Sequence, residues 1–130
     1  MNLPPPLSKL YIVEGKRTPF CKIGSTLSKE SAGSLGVAAA KATLTSSGVS
    51  PDFIDEVIFG CVSQSAREMN LARFIGVRIG LPCSVPAVTL HRNCASGMEA
   101  ATYACAKARE GKGNVFLVGG SENMSKMPLI

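Results

Sequence analysis

The sequence predicts a layered α/β/α domain on a mostly parallel sheet, incomplete within its 130 residues. Short, near-continuous apolar runs, the composition of strands covered on both faces, alternate with segments of helical periodicity. The order strand, helix, strand, helix, strand, helix, strand calls for right-handed crossovers and hence parallel strands. A hydrophobic fraction of 45% and a charged fraction of 18% are those of a globular domain, not of a disordered or fibrous chain.

The four strand-like runs are residues 10–13, 56–59, 85–90 and 115–118. Pro86 cannot donate to a ladder, so the third run starts there or lies at a sheet edge. The first helix is expected over about residues 34–47, with Leu35, Ala38, Ala39 and Ala42 on one face and Gly48 as its stop. Ser50 and Pro51 suit an N-cap and first turn. The second helix takes Asn70 as N-cap, carries a one-sided stripe of Leu71, Phe74, Ile75 and Ile79, and ends at Gly80 before Pro82. The third, residues 95–110, is so rich in alanine over its first three turns that burial all round is expected. No internal repeat is visible. Residues 127–130 follow the fourth run and a Gly-rich turn with no further helix, the pattern of an interrupted domain.

Composition narrows the function classes. No segment approaches the roughly 20 apolar residues needed to cross a bilayer, so no membrane partner is expected. The opening, Met1 to Pro6, lacks a charged-then-apolar leader pattern, and its three prolines oppose a helical transit peptide; a cytoplasmic chain is expected. The five cysteines form an odd set with no CxxC pair, which fits neither a disulfide framework nor a zinc site. Most are expected to be buried thiols, and no metal is expected. The net charge of +5 is spread from Lys9 to Lys126 without a dense run, so nucleic acid is not a predicted partner.

The stretch from His91 to Ala100 carries the chemistry. It places Cys94 at a strand-to-helix turn, where unpaired backbone N–H groups and the positive end of the helix dipole favour the nucleophilic thiolate. The same N–H groups could hold the oxyanion formed when sulfur attacks a thioester carbonyl. Gly97 leaves room beside the sulfur or lets the helix pack closely on a strand; as a plain surface residue it would cost about 1 kcal/mol against alanine. The competing reading of Cys94 is an inert core residue. Its position alone at a helix N-terminus keeps both readings open, since Cys105 sits mid-helix, Cys61 follows a strand, Cys21 lies in a loop and Cys83 follows a proline.

The run Asn93-Cys94-Ala95-Ser96-Gly97-Met98 resembles the nucleophile motif of thiolases. Further matches follow in the family's order: Arg17-Thr18-Pro19-Phe20, Phe59-Gly60-Cys61-Val62, Asn70-Leu71-Ala72-Arg73 and Gly119-Gly120-Ser121-Glu122-Asn123-Met124-Ser125. The resemblance implies a thiolase-like fold, with residues 1–130 a partial N-terminal domain, residues 1–8 flexible and the C-terminal domain absent. It implies an acyltransferase of fatty acid metabolism in which Cys94 takes an acyl group from acyl-CoA and passes it to acetyl-CoA or CoA, a reversible Claisen condensation. CoA thioesters are then substrates, and no cofactor is expected. The charge is compatible with the CoA phosphates without indicating them. The family's pairing of the third strand across a dimer makes residues 85–90 the candidate subunit contact of a homodimer or tetramer.

The motifs with which thiolases supply an activating histidine, a water-positioning asparagine and a second acid-base cysteine do not occur in these residues, so the chain alone is expected not to turn over. His91, the single histidine, is read as a solvated or loop-lining residue. Arg17 and Arg73 are read as structural ties, and Gly119 and Gly120 as a tight turn or close helix approach. Glu122 is read as a cap or ion-pair partner, because a carboxylate beside a thiolate would disfavour it. The alternatives are a ketoacyl-synthase-type condensing enzyme and a non-catalytic truncated half that binds or assembles.

Overall fold

The structure, a computed structural model, describes residues 9–127. The expected flexibility of residues 1–8, and residues 128–130 of the stretch read as an interruption, lie outside the described residues. Six main elements follow in order: α1 (Ala32–Ser47), β1 (Glu56–Gly60), α2 (Leu71–Arg78), β2 (Ala87–Leu90), α3 (Ser96–Arg109) and β3 (Phe116–Gly120). Short 3-10 turns occupy Pro51–Phe53 and Met124–Lys126.

The three strands form one parallel sheet in the order β2-β1-β3. Its central strand explains why the apolar runs are unbroken: all five residues of β1 are buried. Val57 and Phe59 join Leu117, Leu71 and Ile75 in a core beneath α1 and α2. Ile58 faces the other way into a second core with Ala100 and Ala104 of α3, bordered by Val88, Leu90, Phe116 and Val118. Two helices on one face and one on the other make the layered α/β/α arrangement that the element order predicts. Glu56, buried at the head of β1, is matched by the Lys107 ammonium of α3 at 2.7 Å. Asp55 just before it accepts from the N–H groups of Asn114 and Val115 at 2.6 and 2.9 Å, which seats the start of β3 and holds its carboxyl below the usual range.

The second helix begins as its sequence predicts. Asn70, left-handed at φ 55°, accepts the Arg73 N–H at 3.2 Å and donates to the Ala87 carbonyl at 3.0 Å, stitching α2 to β2. Arg73 donates to the carbonyls of Val85 and Cys83 at 2.9 and 3.0 Å, the structural tie expected of it. Pro86 directly precedes β2, an edge strand, so it meets both conditions set for it.

Four expectations need correction. Residues 10–13 form no strand: they belong to no regular element and are exposed, Ile12 at 96%, with no ladder partner among the described residues. An apolar run shows what a strand contains but not whether a neighbour's N–H and C=O groups are there to complete it. The first helix starts two residues early, because Ser31 and Ser34 cap one another reciprocally at 2.9 and 3.0 Å. Its packed face is also the opposite one. Gly33, Gly36 and Ala40 are buried while Ala38 and Ala42 are exposed. A methyl group added at Gly36 would collide with the Ile75 side chain, so the smallest residues rather than the larger apolar ones set the contact between α1 and α2. Finally, α3 is buried on one face only, at Ser96, Ala100 and Ala104. Its alanines permit close packing on either side, but the described residues provide the sheet on one side alone.

Truncating Ile58 to alanine is expected to destabilise the chain by about 2–5 kcal/mol, because its fully buried side chain fills the layer between sheet and α3. Urea unfolding followed by circular dichroism measures the loss.

Candidate active site

In a parallel α/β sheet the carboxyl ends of the strands open toward the connections, where ligands bind. Here β1, β2 and β3 end together at Gly60, Leu90 and Gly120. Two backbone bonds continue the ladder past that edge, Cys61 N–H to the Leu90 carbonyl and Ser121 N–H to the Gly60 carbonyl, both 3.0 Å. The loops leaving the three strands are therefore held side by side.

The loop from β2 turns within five residues into α3. Asn93 adopts the left-handed conformation at φ 46°, which asparagine tolerates better than most residues. Ser96, buried at the first helical position, locks this turn: its hydroxyl donates to the Asn93 carbonyl at 2.7 Å and accepts the Arg92 N–H at 2.8 Å. Arg92 also pairs with Glu99 one turn into the helix. Cys94 is carried outward on this braced turn and is exposed. Among the described residues the Cys94 N–H has no acceptor.

The turn sits directly on the strand ends because glycine is placed where nothing larger fits. A Cβ at Gly60 would overlap the Ser96 carbonyl group and lie 2.5 Å from the Gly97 nitrogen. One at Gly120 would lie 2.9 Å from the Gly97 Cα. At Gly97 itself the added atom would meet only the Gly120 backbone, at an ordinary 3.6 Å. Gly97 both packs on the strand end and lines the cleft beside Cys94, so its two sequence readings both stand, while the strict steric requirement belongs to Gly60 and Gly120. Gly119 instead makes room for the Phe59 ring, 2.6 Å from its would-be Cβ.

Cys94 opens into a cleft of about 960 Å³, also lined by Gly97, Gly120, Glu122, Cys61 and Arg17. His91, Arg73 and Gly119 do not line it. His91 is exposed, and its Nδ1 accepts the Asn93 N–H at 3.4 Å. Among the described residues Arg17 bonds only the neighbouring Thr18 carbonyl and lies 5.7 Å from the Phe20 ring centre, so there it ties no distant loop as Arg73 does. The expectation of mostly buried thiols is corrected: Cys21, Cys83 and Cys94 are exposed, Cys105 is intermediate and Cys61 alone is buried. Cys21 and Cys83 occupy surface loops, where a small apolar side chain has no core to enter.

Glu122 does the capping expected of it, across two loops. Its carboxylate accepts the N–H groups of Val62 and Ser63 at 2.7 and 3.1 Å and lies 3.8 Å from the Cys61 sulfur. Burial, reinforced by this negative charge, pushes the Cys61 thiol up to about 11. Sequence reasoning does not single out Ser96, Gly60 or the Glu122-Cys61 contact. The signal for the first two is present, a polar residue opening an alanine-rich helix and a glycine closing an apolar strand. The third depends on two loops 61 residues apart. Among the described residues there is no cluster of three or more potential metal ligands.

A parallel α/β domain that presents a cysteine on a braced strand-to-helix turn, open to a cleft, defines the class to which the site belongs. The family described as "Thiolase, N-terminal domain" matches residues 10–130, and the chain belongs to it. Human mitochondrial 3-ketoacyl-CoA thiolase is 40% identical over 123 residues, covering 94% of this chain and 31% of that protein. The acetyl-CoA acetyltransferase of Cupriavidus necator is 37% identical over 122 residues, with coverage of 94% and 31%. The chain therefore spans about a third of the length of these relatives. Among solved structures, the human enzyme in complex with CoA superposes with a TM-score of 0.87 over 91% of this chain and 30% of that one, at 40% identity. The acetyl-CoA acetyltransferase of Bacillus anthracis gives 0.86 over 90% and 30%, at 33% identity.

Replacing Gly60 with alanine is expected to push the start of α3 off the strand ends, costing about 1–3 kcal/mol as overpacking does. Alkylation of Cys94 should change in the same variant. An unaltered unfolding midpoint together with unaltered Cys94 labelling would show that the close contact of Gly60 with Ser96 is unimportant.

Proposed function

We propose that the chain carries the acyl-accepting half of a thiolase-type acyltransferase, with Cys94 as the nucleophile. The observation that carries this reading is the seat of Cys94: exposed to the cleft, on a turn fixed by Ser96, at the head of a 14-residue helix. The positive end of that helix favours negative charge on the sulfur and on an oxyanion beside it. Family membership and the complex of the human enzyme with CoA point to CoA thioesters as the substrates.

In this mechanism the Cys94 sulfur attacks the thioester carbonyl, and the free Cys94 N–H donates to the oxygen as it becomes negative. The carbon-sulfur bond to CoA breaks as the acyl-cysteine forms, and the thiol proton leaves with the CoA sulfur. A carbanion from a second thioester then forms the new carbon-carbon bond and releases the Cys94 thiolate. Run backwards, the Cys94 sulfur attacks the keto carbon of a ketoacyl thioester, and the carbon-carbon bond breaks to release the second thioester, whose carbanion takes a proton. Free CoA then takes the acyl group from Cys94. The second half-reaction needs a base to form the carbanion, and His91, bonded to its own loop, is poorly placed to be that base. The chain alone is therefore inferred to take up one acyl group without turning over.

Incubation with acetyl-CoA followed by intact mass measurement tests this. One acetyl group is expected on the chain, none on the Cys94→Ala variant, and no acetoacetyl-CoA in solution. A folded chain that gains no mass would refute the reading. A second reading, assembly through β2, draws on its edge position, since its outer side is unpaired among the described residues. Sedimentation should then give a dimer that a proline at Val88 returns to monomer.

A further inference from the structure

We propose that Glu122 is a positioning residue that keeps Cys61, a cysteine of the same cleft, out of acyl transfer, by clamping the loop that leaves β1 and holding the Cys61 thiol as a hydrogen-bond donor. The proposal rests on the acyltransferase reading of Cys94.

Three cysteines line one cleft, Cys21 in its outer wall and Cys61 and Cys94 at the strand ends. Cys94 leaves β2 and Cys61 leaves the adjacent β1, whose last residue pairs with Leu90. A thioester bound for attack by one lies within the cavity shared with the other, so the site needs a device that keeps the second inert. Burial provides part of it, since Cys61 is 1% exposed. Glu122 provides the rest. It enters from the loop after β3 and spends both carboxylate oxygens on the β1 exit: Oε2 on the Val62 N–H at 2.7 Å, and Oε1 on the Ser63 N–H at 3.1 Å and beside the Cys61 sulfur at 3.8 Å. Two N–H groups donating to one carboxylate fix the loop more firmly than neutral contacts would. The same charge opposes a thiolate next to it.

The groups acting on Cys61 come from several elements. Glu122 lies on the β3 loop and Glu68, which accepts the Gly33 N–H at 3.0 Å, on the loop before α2. Both carboxylates oppose ionisation, while the backbone N–H of Ser63 favours it. Desolvation has the largest effect and Glu122 the next. Removing the Glu122 charge while keeping its shape therefore lowers the thiol and loosens the loop over it, without touching the turn that bears Cys94.

The test uses wild type, Glu122→Gln and Glu122→Asp, each labelled with iodoacetamide across the alkaline range and read cysteine by cysteine by peptide mass spectrometry. In wild type, Cys61 should label with a midpoint near 11. In Glu122→Gln the midpoint should fall by about one pH unit or more, a tenfold gain in thiolate at fixed pH, and acetyl-CoA should place acetyl on Cys61 as well as Cys94. Glu122→Asp, which keeps the charge, should retain the high midpoint. An unchanged Cys61 midpoint in a Glu122→Gln chain of native circular dichroism overturns the proposal. So does a wild-type midpoint near the roughly 8.5 of a free thiol, a measurement that stands even where the glutamine variant fails to fold. A Cys61 shift with no acetylation of Cys94 would instead support the role of Glu122 and refute the acyltransferase reading.

Discussion

The site depends on backbone meeting backbone. Where β1 and β3 end, Gly60 and Gly120 let the first turn of α3 rest directly on the sheet, at separations that leave no space for even a methyl group. Most helices approach a sheet across a layer of side chains; here that layer is missing at one end. The closeness brings Cys94 to the strand ends, and makes the turn short enough for one hydroxyl, that of Ser96, to bind two of its backbone groups. The left-handed Asn93 follows from the same compression.

Much of this is legible in the sequence because local physics decides it. The runs that form β1, β2 and β3 read as strands buried on both faces, and all three are covered by helices. Asn70 announces the start of α2, and Gly48, at φ 70°, the end of α1. Cys94 stands out by position alone, and the structure opens it to the cleft. What the sequence hides is pairing at a distance. Residues 10–13 have the composition of a strand and no partner among the described residues. The packed face of α1 escapes a reading that weighs apolar side chains for what they bury, because Gly33 and Gly36 are in contact by virtue of what they lack. Glu122 reads as a cap, but its partners at the β1 exit emerge only once the topology brings the two loops together.

The cleft collects its walls from separate parts of the chain. The segment around Arg17 and Phe20, the turn at Cys94 and the loop after β3 each contribute one side. The β1 and β3 exits are cross-linked by Glu122, and the Ser121 hydroxyl ties the β3 exit to α1 by donating to the Ala32 carbonyl at 2.6 Å. The Arg17 segment is tied at its flanks, where the Ser46 hydroxyl of α1 donates to the Glu14 carboxylate at 2.7 Å and the Gly24 N–H donates to the Ser125 hydroxyl at 2.9 Å.

The alternation along β1 has an evolutionary corollary. Val57 and Phe59 serve one compartment and Ile58 the other, and the two differ in what faces the strand: Leu71 and Ile75 of α2 on one side, Ala100 and Ala104 of α3 on the other. A single-codon insertion or deletion in this strand would exchange their occupants, forcing an aromatic ring against the alanines of α3 and Ile58 toward α2. Diversification of the domain is thereby steered toward substitutions and toward length changes in the connections, while the middle strand keeps its phase.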